Sequence, residues 1–180
     1  MLKYSFLALI LFGSLTAGLN AQELSASTST YKLSTGDSIN IVVFEEPDMS
    51  FEIKIDESGV FTYPYLDDIQ LAGKTTEQLE NSIADGLRGR VLINPNISVS
   101  ITEYRPFSIG GEVNSPGSYP YEPGLNIQKA INIAGGVTEW ASSSRFRVDK
   151  ENGNNTEEQR LSLETLVSPG DTITVLPRRF

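Results

Sequence analysis

The 180-residue sequence contains no cysteine and no histidine. Without cysteine there is no disulfide, no thiolate zinc site and no cysteine nucleophile. Without histidine, His-based triads, the commonest general base and the commonest metal ligand are gone as well. Cations are scarce: 14 Lys and Arg stand against 23 Asp and Glu, a net charge of −9. Affinity for nucleic-acid backbones comes mainly from Lys and Arg, so nucleic acid is excluded as a partner. Carboxylate, serine or lysine chemistry remains open. With 39% hydrophobic and 21% charged residues, the chain is neither disordered nor fibrous, and its length suits one or two small domains.

The one pronounced apolar run lies at the start. Lys3 precedes residues 6–15, FLALILFGSL, and small and polar residues follow as far as Ala21. A positive start, a short apolar run and a small residue before polar sequence predict a secretory signal peptide over residues 1–21. The run is shorter than the ~20 residues a membrane-spanning helix needs. Cleavage there removes one lysine and no acid, taking the net charge from −9 to −10. Residues 22–30, rich in Ser and Thr, read as a flexible lead-in.

Two similar blocks follow. In the first, Ile39, Ile41 and Val43 share one face with Asn40 and Val42 on the other, and Phe51, Ile53 and Ile55 alternate more cleanly with Glu52 and Lys54. Asp56-Glu-Ser-Gly59 reads as a hairpin tip, with residues 60–63 returning as the partner strand until Pro64 stops it. Thr75-Thr-Glu-Gln78 is a capping-box pattern, and Leu79, Ile83 and Leu87 form one helical stripe ended by Gly89. Ile97, Val99 and Ile101 alternate with Ser98, Ser100 and Thr102 as a strand with one wet face. Arg105-Pro106 breaks the pattern and marks a boundary.

In the second block, Phe107, Ile109 and Val113 predict a strand before the Ser115-Pro-Gly117 turn. A helix covers roughly residues 127–134, with Ile127, Ala130, Ile131 and Ala134 at helical spacing, and Gly135-Gly136 ends it. Residues 145–148 and the stretch around Ile173 and Val175 read as strands. Isolated helices among strand runs indicate an α+β fold.

These pieces resemble a known family. Tyr31, Gly36-Asp37, Gly59, Pro64 and Gly73-x-Thr75, followed by Asn94-Pro-Asn-Ile-Ser-Val-Ser-Ile101, resemble in order the polysaccharide biosynthesis/export domain. Gly110-Gly-Glu-Val113, Pro116-Gly117, Tyr119, Ala130 and Gly135-Gly136, closed by Val167-x-Pro169-Gly-Asp171-x-Ile173-x-Val175, are similar to a soluble-ligand-binding β-grasp (SLBB) module. The resemblance to the Wza-like outer-membrane polysaccharide export family implies a small mixed-sheet export domain over residues 31–104, then a β-grasp domain over residues 105–180. It implies a ring-shaped homo-oligomer around a lumen. Through that lumen capsule or exopolysaccharide passes from inner-membrane export machinery towards the surface. Long family members carry a lipid-modified N-terminal cysteine, further β-grasp modules and a C-terminal pore helix. This sequence shows none of these. The expectation is a short, non-lipidated form in the periplasm, associated with the outer membrane and working with a separate outer-membrane barrel.

The family glycines and Asp37 are expected to be structural: turns, caps and an ordered bend. Glu45-Glu46 and Asp67-Asp68 are the obvious paired carboxylates. A glycosidase needs two carboxylates facing each other ~5–9.5 Å apart, and sequence neighbours on a strand point to opposite faces. No catalytic residue, metal or cofactor is therefore assigned. The stretch Asp149-Lys-Glu151-Asn-Gly153 has its glycine at the fifth place of a calcium loop rather than the sixth, and Arg160 at the twelfth, so a solvated loop is the better reading. Arg88, Arg90 and Arg105 are candidate contacts for an acidic polymer, against a default of solvated surface. Tyr119 and Trp140 are candidate stacking platforms for sugar rings, against packing in the core or at a subunit interface. A monomeric periplasmic module binding a saccharide or a protein is the alternative function.

Overall fold

The structure, a computed structural model, describes residues 30–150 and 161–178. The expected signal peptide, nearly all of the lead-in and the Asp149–Arg160 loop beyond Lys150 lie outside the described residues. Two separate hydrophobic cores divide the chain, one drawn from residues 33–99 and the other from residues 107–175.

The first core is built on a three-stranded antiparallel sheet. Its central strand β1 (Ser38–Val43) pairs with β2 (Phe51–Lys54) on one side and β5 (Ile97–Glu103) on the other. Alternation does what the sequence predicts: Ile39, Ile41 and Val43 are buried and the residues between them half-exposed. Helix α1 (Thr76–Leu87) forms because both halves of its capping box close. Thr75 Oγ1 accepts from Gln78 N at 3.2 Å and Gln78 Oε1 accepts from Thr75 N at 3.0 Å. Its stripe of Leu79, Ile83 and Leu87 is fully buried, and Glu80 ties the helix to β5 by accepting from Val99 N at 2.7 Å.

The expected hairpin between residues 51–55 and 60–63 is not what forms. Strand β2 has β1 as its partner, while β3 (Val60–Thr62) pairs with β4 (Asp68–Gln70), a strand the alternation did not reveal. The turn itself is tight: Gly59, at φ +65°, donates to Asp56 O at 3.1 Å. Gly59 O then accepts from Leu71 N and Ala72 N, which closes β3 against β4. Phe61 and Tyr63 meet β2 through their rings instead, with centroids 5.7 and 5.5 Å from Phe51. Aromatic packing thus decides where this ribbon lies, and backbone pairing decides its partner.

The second core lies between α2 (Ile127–Ile133) and a four-stranded sheet in the order β7 (Gly117–Tyr119), β6 (Phe107–Gly111), β9 (Thr172–Pro177), β8 (Ala141–Asp149). Strands β6 and β9 run parallel and the other pairs antiparallel. Ile127, Ala130, Ile131 and Ala134 pack with Phe107, Ile109, Phe146, Ile173 and Val175. Val113 is not in β6 as expected. The strand stops at Gly111, at φ +78°, where a Cβ would stand 2.2 Å from Val175 O. Val113 instead bridges Val137. The whole is α+β, two small domains in sequence.

Candidate functional site

Two charged side chains are fully buried among the described residues, Asp37 and Asp171. They occupy equivalent turns. Each closes a Ser-x-Gly-Asp motif that launches a strand: Ser34-Thr-Gly36-Asp37 before β1 and Ser168-Pro-Gly170-Asp171 before β9. In both, the aspartate N–H donates to the serine carbonyl at 3.2 Å. In both, the serine N–H donates back to aspartate Oδ2, at 2.9 Å in the first and 2.7 Å in the second. The glycine sits at φ +93° and +81°, a conformation that L side chains resist.

Each aspartate then captures a cation. Asp171 Oδ2 accepts from Lys150 Nζ at 2.6 Å, and this lysine is 40% exposed. Asp37 binds the inter-core linker itself. Its Oδ1 accepts from Arg105 N at 2.9 Å; its Oδ2 accepts from Tyr31 Oη at 2.7 Å and Arg105 Nη1 at 3.3 Å. Arg105 Nη1 also donates to Tyr31 Oη at 2.7 Å, and its side chain is only 12% exposed. A row of edge-to-face aromatics crosses the joint: Tyr31 to Tyr104 at 5.2 Å, then Tyr104 to Tyr121 at 5.4 Å. Burial, reinforced by the hydrogen bond to Asp37, pushes the Tyr31 hydroxyl far above its ordinary range. Burial also raises Tyr104 and Tyr121. All three stay neutral at physiological pH, and Tyr31 donates to Asp37 within a hydrogen-bonded and aromatic joint.

The second domain also carries a cleft of about 470 Å³ beside α2 and β8. Ile131, Ala141, Phe146 and Leu163 give it an apolar lining, while Gln128, Asn132, Thr138, Ser142, Ser143 and Arg178 supply polar groups. That volume and mixture suit a small-molecule site. Trp140 lies in the turn before β8, where Ala141 N donates to Thr138 O and Arg178 N to Trp140 O. Its side chain is 56% exposed.

The residues expected to touch saccharide do not form one group. The Arg105 guanidinium bonds Asp37 and Tyr31 in the joint, where the buried carboxylate draws it in. Arg88 is exposed and pairs with Asp85 at 2.8 Å, and Arg90 is exposed beside it after α1. Tyr119 packs at 6.0 Å on Phe107 and donates to Ser115 O at 2.7 Å, so its ring belongs to the second core. Trp140 is exposed in the turn before β8 and does not line the cleft. Among the family positions, Tyr31, Gly36 and Asp37 build the joint. Gly59, Gly73, Gly135 and Gly136 take left-handed turns, whereas Gly110 and Gly117 lie in strands and Pro116 in the turn before β7. Pro64 follows the buried Tyr63, and Val113 and Ala130 are core. Sequence reasoning missed the cleft's polar residues, which β8 and α2 bring together across the fold. The Asp37–Asp171 equivalence was visible in the repeated Ser-x-Gly-Asp.

Asp68 accepts from Thr62 Oγ1 at 2.7 Å across the β3–β4 ribbon, a structural bond rather than one half of a carboxylate pair. Among the described residues, no cluster of three or more acidic side chains could hold a metal, and no helix is long and apolar enough to cross a membrane.

Comparison with known proteins places this geometry. The family profile of polysaccharide biosynthesis/export proteins matches residues 25–102, and that of the SLBB domain matches residues 106–158. Over 107 residues the chain is 35% identical to the exopolysaccharide production protein ExoF of Rhizobium meliloti, covering 56% of this chain and 24% of that protein. Over 154 residues it is 27% identical to the EPS I polysaccharide export outer membrane protein EpsA of Ralstonia nicotianae, covering 71% and 40%. The protein of that name from Ralstonia solanacearum is 25% identical over 159 residues, covering 73% and 42%. The chain spans less than half the length of each of these relatives. The chain thus carries a domain of the polysaccharide biosynthesis/export type followed by an SLBB domain.

Proposed function

We propose that this chain is a ring-forming component of a capsule or exopolysaccharide export conduit in the periplasm, associated with the outer membrane. It performs no chemistry of its own. One observation carries the reading: the export and SLBB domains occur here in order, and the matched relatives are named for exopolysaccharide production and export. The physical task is passage. A moving polymer needs weak contacts at many places, since one tight site would stall it. Ring closure needs a heterologous interface, in which one face of a subunit meets a different face of the next. A fixed joint favours that arrangement, because a subunit that bends between its domains cannot repeat one angle around a ring. The partners are polysaccharide, further copies of the chain, inner-membrane export machinery and a separate outer-membrane barrel.

Deleting the gene in the polymer-producing bacterium tests the reading. The expected phenotype is loss of surface polysaccharide with polymer retained inside the envelope, restored by the wild-type gene. Unchanged surface polysaccharide refutes it. The cleft in the second domain favours the alternative, a monomeric module that holds a saccharide.

A further inference from the structure

We propose that the pole of the first domain opposite the joint connects one copy of this chain to the next, the acidic turn after β1 on one copy meeting the arginine loop after α1 on its neighbour. The choice of a second copy rests on the ring reading; the surface itself rests on what the pole exposes.

Asp37 before β1 and Arg105 after β5 hold the joint at one end of the first sheet. Three connections come together at the other end. Phe44, just past β1, donates its N–H to Asn96 O, just before β5, at 3.0 Å. The turn Pro47–Met49 leads on towards β2, and Tyr63 Oη donates to Met49 O. The turn through Pro64 and Tyr65 closes by Leu66 N donating to Tyr63 O at 3.1 Å, and Leu66 lies against Gly86 in the last turn of α1.

This pole leaves large apolar side chains in water: Phe44 is 53% exposed, Tyr65 69% and Ile93 86%, with Val91 beside them in the loop after α1. Apolar groups clustered on one surface within a polar rim mark a protein interface. Glu45 and Tyr65 also take left-handed φ, +68° and +66°. L side chains resist that backbone, and residues held there concentrate where a surface is used. The charges are sorted by side. Glu45 and Asp48 are exposed in the turn after β1, and Arg90 is exposed in the loop after α1; none of the three has an ion-pair partner among the described residues. Strands β2 and β5 flank β1 on opposite sides. The acidic turn, bound for β2, and the arginine loop, bound for β5, therefore lie on opposite flanks of the pole. One flank of a copy complements the other flank of the next, with apolar side chains between them. That is a heterologous contact, the kind from which rings are built, and opposite charges fix its register. The same acids set the surface against an anionic lipid headgroup.

Light scattering coupled to gel filtration on the exported chain at low ionic strength reads the assembly. One variant, Glu45→Arg with Asp48→Arg, turns the acidic flank basic. A second, Arg88→Glu with Arg90→Glu, turns the arginine flank acidic. Each variant alone should need about ten-fold more protein, or beyond, to assemble. An equimolar mixture of the two should regain the wild-type mass, because unlike flanks then meet again, and a misfolded variant would not do so. Ile93→Ser should weaken assembly too with an unchanged far-UV circular dichroism spectrum, since Ile93 is exposed and lies outside the first core.

If both charge-reversed variants assemble as the wild type does, the surface is refuted and the ring reading stands. A mixture that fails to regain the wild-type mass refutes the pairing of flanks in the same way. A wild-type mass of two chains assigns the pole to a face-to-face pair and overturns the head-to-tail contact. A wild-type chain that stays single at every concentration removes the surface and the ring reading together; if that chain sediments with phosphatidylglycerol vesicles and Ile93→Ser does not, the pole belongs to a lipid.

Discussion

Replacing Asp37 by alanine leaves the Arg105 guanidinium, 12% exposed, without its buried counter-charge. It also leaves three further donors without their acceptor: Tyr31 Oη, Ser34 N and Arg105 N. Removing one member of a buried pair costs about 3–5 kcal/mol. The equivalent turn supplies an internal control. Asp171 has the same serine bonds, but its cation Lys150 is 40% exposed and can turn to water. With the charge penalty mostly relieved, Asp171→Ala should cost about 2 kcal/mol, chiefly for the unmade hydrogen bond at Ser168 N. Urea denaturation followed by circular dichroism measures both. Trp140 fluorescence, read in parallel, follows the second domain alone. If the joint couples the domains, Asp37→Ala moves the fluorescence midpoint as well, although the substitution lies in the first domain. A double-mutant cycle with Arg105→Ala should give a coupling of about 1–3 kcal/mol. A loss below about 1 kcal/mol at Asp37, or equal losses at both aspartates, refutes the reasoning.

Gly111→Ala forces a Cβ against the Val175 carbonyl at a left-handed φ; the expected loss is about 3 kcal/mol or more in thermal or chemical denaturation. Thr75→Ala removes half of the capping box of α1 and should cost about 1 kcal/mol by the same measurement. The Tyr63 hydroxyl, raised by burial from 10.0 to about 12, holds its proton longer in the folded chain. Its stabilising contribution is therefore complete below pH 10 and disappears as the pH climbs to 12. Stability measured across that window should fall, and less steeply in Tyr63→Phe; a flat alkaline limb in the wild type contradicts the sign.

Periodicity was enough for α1, α2, β1 and β5, because each buries one face and its alternation or helical stripe records that burial directly. It failed where pairing depends on distant residues. Residues 60–63 read as the partner of residues 51–55 because a turn joined them, yet β1 already held that edge and Phe51 received Phe61 and Tyr63 as rings. Strand β4 is three residues long and half-exposed, too short to leave an alternation signal. Arg105 read as a surface cation for the same reason: nothing local shows that a carboxylate 68 positions earlier will bury it. Trp140 was picked out by residue type alone, and the cleft of the second domain exists only once β8 and α2 come together. The family motifs, by contrast, are mostly local turns, and local turns are what a sequence records best.

Ring formation is the central physical claim, and light scattering coupled to gel filtration on the exported chain, across a concentration series, tests it most directly. The account predicts a discrete assembly of many copies whose mass stays constant on dilution. A mass equal to one chain at every concentration contradicts it.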